Sequence, residues 1–300
     1  MGYASNTYTN IGEANNRGIE MNLEWRDKTE SGFEYNVGVN MSTIRNRMTK
    51  LNGGTPISDG PFRNGSMYLT YTNEGMPIGA FWGYKTDGLI QTQEQLNAVK
   101  RADFQPNAEL GDVLFVDTNG DGKLDSSDRC MIGNPIPDII YGINMGMAWK
   151  GFDLNLQFGG TIGNQIFNAM RYYTYFPNDI TNKDRALMNY WTPNNTNTDI
   201  PRLTATDVND NDRFSDMYVE NGTYFRLRNA QLGYTLPASL TQRIKLQKVR
   251  FYVSGQNLFT ISSYSGMDPE VGQSSSLSRG IDYGIYPQNI SFTGGINVTF

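Results

Sequence analysis

The chain of 300 residues contains no histidine. The commonest general base is therefore missing, and with it the Ser-His and Cys-His nucleophile pairs and the usual zinc ligands. It has one cysteine, Cys130, so it can form neither an internal disulfide nor a thiolate cluster. Charge is sparse: Asp, Glu, Lys and Arg make up 18 %, the net charge is −5, and the isoelectric point is near 4.9. That balance argues against nucleic acid, which requires a basic face. No apolar run approaches the ~18 residues of a membrane helix, and the mean hydropathy is −0.51. The opening residues, Met1 to Asn6, carry neither the basic start nor the apolar core of a signal peptide. The expectation is a cytoplasmic chain or one whose true N-terminus lies elsewhere. What the sequence does have is 32 glycines, 18 tyrosines and 12 % aromatic residues. Gly, Asn and Thr are poor helix formers, and so aromatic a chain with so little charge is not a disordered one. A Tyr/Gly/Asn-rich β protein remains.

Alternation with period two recurs along the chain, as in strands whose two faces meet different surroundings. Ile19, Met21, Leu23 and Trp25 share one face, with Glu20, Asn22 and Glu24 on the other. Tyr35, Val37, Val39 and Met41 alternate with polar residues, as do Tyr141 to Trp149 and Phe152 to Phe158. Further strands are expected at Arg226 to Leu236, Val249 to Val253 and Ile290 to Phe300, making seven. In the fifth, the even positions from Arg226 through Leu236 are expected on one face. Short connections alternate strictly with long ones, the latter spanning roughly 47–138, 163–222 and 262–288. A soluble sandwich also buries alternate apolar residues, but its loops are short at both ends. Short turns at one end and long segments at the other fit a transmembrane β-barrel with periplasmic turns and extracellular loops. Aromatic residues near the short turns, among them Trp149, Phe152, Tyr234 and Phe251, suit a membrane-interface girdle.

Within the long segments, Thr92 and Gln95 form a capping-box pattern opening a short helix through Lys100. Lys183 to Trp191 is expected to hold a helical turn or two, and Asn194 to Asn211 a solvated loop. Residues Asp117 to Asp128 follow the spacing of a calcium loop. Asp117, Asn119, Asp121, Asp125 and Asp128 would supply oxygens, with the Lys123 carbonyl as a further ligand. Position twelve is Asp, where the bidentate Glu usually sits, and the same residues also build plain Asx turns. Structural Ca²⁺ is the expectation. Asp207, Asp210, Asp212 and Asp216 are numerous enough for a glycosidase pair, but a solvated loop is the expected reading. No catalytic residue is assigned. Aromatic rings cluster in the long segments. Trp82, Tyr84, Tyr173 and Trp191 are candidates for stacking a sugar, or else for packing loops together. Cys130 is expected to be an idle thiol.

An ordered set of passages resembles the SusC/RagA-type TonB-linked outer-membrane receptors. Asn10-Ile11-Gly12-Glu13 with Asn16-Arg17-Gly18-Ile19-Glu20 is similar to an N-x-G-E…N-R-G-x-E strand. Glu74-Gly75-Met76-Pro77-Ile78-Gly79, then Gly83-Tyr84 and Asp87-Gly88, resembles an EGxPIG…GY…DG loop. Gly111-Asp112 leads into Asp117, Asn119-Gly120-Asp121-Gly122 and Ile132-Gly133-Asn134-Pro135. Tyr224 to Asn229, Leu232 to Pro237, Gly255 to Phe259 and the terminal Phe300 complete the set. The resemblance covers the whole chain. It implies an all-β, antiparallel transmembrane barrel in the outer membrane. Residues 1–300 would be its C-terminal part: about seven strands of a plugged barrel of about 22, without plug domain or signal peptide. It further implies uptake of a bulky nutrient, an oligosaccharide or peptide, with no bond made or broken. The partners implied are a SusD-like surface lipoprotein, the TonB complex through N-terminal parts, and membrane lipid. The alternative is a secreted, calcium-stabilised, carbohydrate-binding β protein.

Overall fold

A computed structural model describes residues 12–51, 54–63, 65, 67–176, 182–272 and 275–300; of the motif residues above, Asn10 and Ile11 lie outside these. Seven strands form one antiparallel sheet. They are β1 (Glu20–Lys28), β2 (Glu34–Thr43), β3 (Ile139–Trp149), β4 (Phe152–Ile162), β5 (Tyr224–Thr235), β6 (Lys248–Ser262) and β7 (Ser291–Thr299). Each pairs with the next in a simple meander, so β1 and β7 are the sheet edges. These are the seven strands that the alternation marks out.

The register aligns like with like. Val37 lies opposite Trp25 and Met145, Met145 opposite Leu156, Leu156 opposite Ala230, Ala230 opposite Gly255 and Gly255 opposite Phe292. One residue along, Gly38, Asn144, Gln157, Asn229, Gln256 and Ser291 form a polar row. The apolar face is open: Leu23, Trp25, Phe152, Val253, Phe292 and Ile296 are all exposed. Water alone would not leave so large an apolar face uncovered.

All three long connections leave from the same end of the sheet and pack on one another. Here lies the buried core. Phe62, Leu69, Phe81 and Ile132 come from the first connection, Phe167, Tyr172, Phe214 and Tyr218 from the second, and Ile281 from the third. A four-stranded sheet (Ile57–Phe62, Met67–Thr72, Ala80–Gly83, Cys130–Gly133) and a three-stranded one (Gln165–Asn168, Val219–Asn221, Ile281–Asp282) frame this cap. Helix α1 (Gln93–Arg101) starts at the expected capping box, Thr92 accepting from the Gln95 amide. A 3₁₀ turn at Arg185–Asn189 fills the second expected helical site. Helix α2 (Ala169–Tyr175), capped by Asn168, is an addition that the aromatic run concealed.

The tract 194–211 departs from the solvated loop expected. Asn209 and Asn211 are buried and hydrogen-bond each other, Val113 and Gln105. Fully buried Asp112 accepts from Arg202 and Asn211 at their centre. Asn side chains at this density satisfy backbone groups that would otherwise be stranded in the cap. The four aspartates around them are likewise structural. Asp212 accepts from the Tyr172 hydroxyl, Asp216 from Thr86, and Asp210 pairs with Arg213. Asp207 is half-buried, and that burial raises its pKa.

Beyond the sheet proper the first hairpin continues as Gly12–Arg17 paired with Arg45–Leu51. At the junction a Cβ on Gly18 would stand well inside van der Waals distance of the Thr43 carbonyl oxygen. Backbone, unlike a side-chain tip, cannot swing away. Gly18→Ala is expected to cost about 1–3 kcal/mol and to loosen this extension. Faster amide exchange confined to residues 12–19 and 43–51 would show it; unchanged exchange there would refute the close approach.

Candidate functional site

The polar face of the sheet and the underside of the cap border an open cavity of about 950 Å³. Asn40, Asn144 and Gln157 line it from the wall, Arg228 from β5, and Glu270 and Gln288 from the third connection. A second hollow of about 590 Å³ lies lower on the same face, between Arg26, Glu34, Asp153 and Asn155. Beside it Arg250 holds Asp153 through two hydrogen bonds and also reaches Gln231.

The upper cavity is organised by a break in β5. Between Gln157–Asn229 and Phe158–Leu227 the pairing shifts, leaving Arg228 as an extra residue. On β6 the matching irregularity holds Asn257, at φ 52°, and Leu258. The bulge reverses the face assignment on its cap side. Asn229 joins the polar row, Leu227 sits opposite Phe158 and Phe259, and Arg226 sits opposite Gly159 and Thr260. This corrects the expectation that Arg226 and Arg228 share the outer face with Ala230 and Leu232. The physical reason is the cost of a guanidinium on a membrane face, about 2–4 kcal/mol each near the midplane; a bulge re-aims side chains without moving the strand.

Arg226 is only 2 % exposed. It donates to Thr260 at 2.8 Å, Glu270 at 2.9 Å and Asp268 at 2.5 Å. Arg228 joins Glu270 and the Tyr224 hydroxyl. Burial alone would raise the Asp268 pKa, but the amides of Gln288 and Glu270 and the Arg226 guanidinium outweigh it, leaving the carboxyl below the ordinary range. Four paired charges thus tie the third connection to the wall across the cavity mouth. The rest of the lining mixes the amides and backbone with apolar and aromatic side chains, among them Ile140, Tyr141, Phe158 and Ile166. Such a surface hydrogen-bonds polar groups without preferring one sign of charge strongly. No residue pairing a nucleophile with a base appears among the described lining residues.

The stacking candidates do not form one platform. Trp191 is buried, donates to Gln91 at 2.8 Å, and has Gly111 against its ring. Its faces are thereby spent on the cap interior. Tyr173 packs on Phe62 and Tyr172. Tyr84 meets Phe115 edge-on with the Arg213 guanidinium nearby. Trp82 stacks on Tyr71 with ring centroids 4.5 Å apart. These rings mainly pack the cap. Sequence reasoning missed the cavity lining because Asn and Gln on a strand carry no motif.

The calcium candidates share one surface loop, but its carboxylates turn to backbone amides. Asp117 accepts from Gly120 and Gly122, Asp121 from Lys123, Asp125 from Ser127, and buried Asp128 from Thr118 and Asp125. The Gly122 amide foremost holds Asp117 below the usual carboxylate pKa. Asn119 accepts from the Asp121 amide. Among the described residues no three acidic side chains gather as a metal site. Lone pairs remain, since an ionised carboxylate offers about four acceptor positions.

The other motif residues act as staples. Glu74 accepts from the Leu51 amide, and Met76 and Gly75 exchange backbone bonds with Met48. Half-buried Cys130 has its thiol pKa raised by burial, as befits an idle thiol.

An antiparallel meander, apolar outside, polar inside and capped at the end opposite its short turns, defines a segment of an outer-membrane β-barrel. TonB-dependent receptor P3 of Formosa agariphila is 36 % identical over 308 residues, covering 99 % of this chain and 30 % of its own length. TonB-dependent receptor SusC of Bacteroides thetaiotaomicron is 27 % identical over 97 % of this chain and 27 % of its own. The structure of the RagAB peptide importer in its "closed-closed" state superposes with a TM-score of 0.74 at 25 % identity, over 98 % of this chain and 30 % of that one. No protein-family model matches the chain. The chain belongs to the SusC/RagA-type TonB-dependent receptors of the outer membrane, and spans about 30 % of the length of the curated relatives it matches. These relatives are named as receptors and not as enzymes.

Proposed function

We propose that this chain supplies wall and extracellular cap to a TonB-dependent importer of a bulky polar nutrient, an oligosaccharide or a peptide. The observation that carries the reading is the open cavity of about 950 Å³ beneath the cap, where amides stand among aromatic and aliphatic side chains. Neutral amides bind hydroxyls and peptide groups by hydrogen bonds that are readily exchanged, which suits passage better than tight retention. A surface lipoprotein of the SusD type closing over the cap, and the TonB complex acting from the periplasm, complete the proposal. The names SusC and RagAB among the relatives support it. A strain lacking the full-length receptor should lose growth on one class of oligosaccharide or peptide, and affinity purification of the receptor should bring down one lipoprotein. Normal growth on every such source, with no lipoprotein recovered, would overturn it. The secreted carbohydrate-binding alternative is set aside by the outer-membrane relatives.

For the loop Asp117–Asp128 we propose one structural Ca²⁺, on donor types and spacing. Asp117, Asn119, Asp121, Asp125 and Asp128 would hold it with the Lys123 carbonyl, and the ion would offset repulsion among the four aspartates. A chelator, Asp117→Ala and Asp121→Ala should each speed proteolysis within residues 110–135. Equal proteolysis with and without chelator would assign the loop to its amide hydrogen bonds alone.

A further inference from the structure

The outer face of the sheet is uneven. Ala230 on β5 lies opposite Gly255 on β6, and on β7 Gly294 lies one outward-facing pair further on, opposite Val253. Two adjoining hollows of about 470 and 410 Å³ result, both bordered by Leu232, Val253 and Gly294. Phe152, Tyr234, Phe251 and Ile296 flank the one nearer the short turns. Together they form an apolar trough running from mid-strand towards the periplasmic end.

At that end the charge is one-sided. The turn from Leu236 to Gln247 and the following Lys248 contain Arg243 and Lys245 but no carboxylate. The neighbouring β3–β4 turn adds Lys150, whose ammonium lies 4.4 Å from the ring centre of outward-facing Trp149. The two turns touch, Thr235 donating to the Gly151 carbonyl at 2.7 Å. Arg243, Lys245 and Lys150 are exposed, and among the described residues none is ion-paired. Asp153, just past the β3–β4 turn, faces the lumen and is held by Arg250. The β1–β2 turn, by contrast, carries Asp27, Glu30 and Glu34 beside Arg26 and Lys28.

We propose that the periplasmic end of β4–β7 is a binding site for one anionic phospholipid of the inner leaflet. An acyl chain lies in the trough over Ala230, Gly255 and Gly294, and the headgroup phosphate rests on Lys150, Arg243 and Lys245. Charge complementarity selects this occupant. An apolar groove alone accepts any chain, but unpaired cations at the membrane interface favour a net negative headgroup. The trough reaches the turns themselves, at Phe152 and Tyr234, so a headgroup above its end meets the turn cations.

The test uses the full-length receptor, extracted in mild detergent and examined by native mass spectrometry with phosphatidylglycerol or phosphatidylethanolamine added. Phosphatidylglycerol should be retained preferentially. The triple variant Lys150→Gln, Arg243→Gln, Lys245→Gln should lose that preference, by roughly fivefold per charge removed. Ala230→Phe should reduce retention of both lipids by filling the trough. Equal retention of the two lipids by the unaltered receptor, or a preference that survives the triple variant, would overturn the proposal. Nutrient uptake is scored separately, so a failed transport assignment leaves this result readable.

Discussion

Met145→Arg in the full-length receptor is expected to destabilise the barrel by about 2–4 kcal/mol, the cost of a guanidinium facing lipid near the midplane. Met145 stands in the middle of β3, between Val37 and Leu156 on the outer row. Its neighbour Asn144 lies between Gly38 and Gln157 on the polar row. Asn144→Arg should therefore cost a small fraction of that amount, because water in the lumen solvates the new charge. The two variants add the same residue at adjacent positions. Heat-modifiable gel mobility and the outer-membrane level report the difference. Equal tolerance of both would mean that the facing assignment is wrong.

Arg226→Ala should cost about 3–5 kcal/mol, the penalty for stranding a buried partner charge. Asp268 is 7 % exposed and would keep its negative charge without its guanidinium. Adding Asp268→Ala to Arg226→Ala should recover part of the loss, since no buried charge is then left alone. Native Asp268 titrates below an ordinary carboxyl. Its contribution is therefore complete above the unfolded value near 3.9 and fades as pH falls through the depressed folded value. Protease sensitivity of residues 263–290 should stay constant from pH 8 to about pH 5 and rise only in stronger acid. A loss of protection already near pH 6.5 would show that another group governs the anchor.

The wall was legible in the sequence because one face meets lipid and the other water, which imposes strict alternation on Tyr141 to Trp149 and Phe292 to Phe300. The alternation fails where the backbone breaks it. The extra residue at Arg228 and the left-handed Asn257 shift parity on β5 and β6. For this reason β6 reads as Val249 to Val253, although it continues to Ser262. The cap was legible only in pieces. A capping box is local, so Thr92 and Gln95 announce α1. The pairing of Asp112 with Arg202 spans 90 residues and leaves no local trace. Trp191 illustrates the same limit: an indole in a polar loop reads as a ligand platform until the residues that cover it, Gln91 and Gly111, are known.

The placement of the buried core in the cap has a temporal consequence. Phe81, Phe214 and Ile281 come from three connections separated by four membrane strands, yet they belong to one cluster. No single hairpin brings enough of that cluster to close it. The wall can zip strand by strand as each hairpin enters the bilayer, but the cap must wait until the last connection has crossed. Assembly therefore has two stages in two solvents. The later one ends when Ile281 inserts among aromatic rings already delivered, and the outer surface takes its mature shape only then.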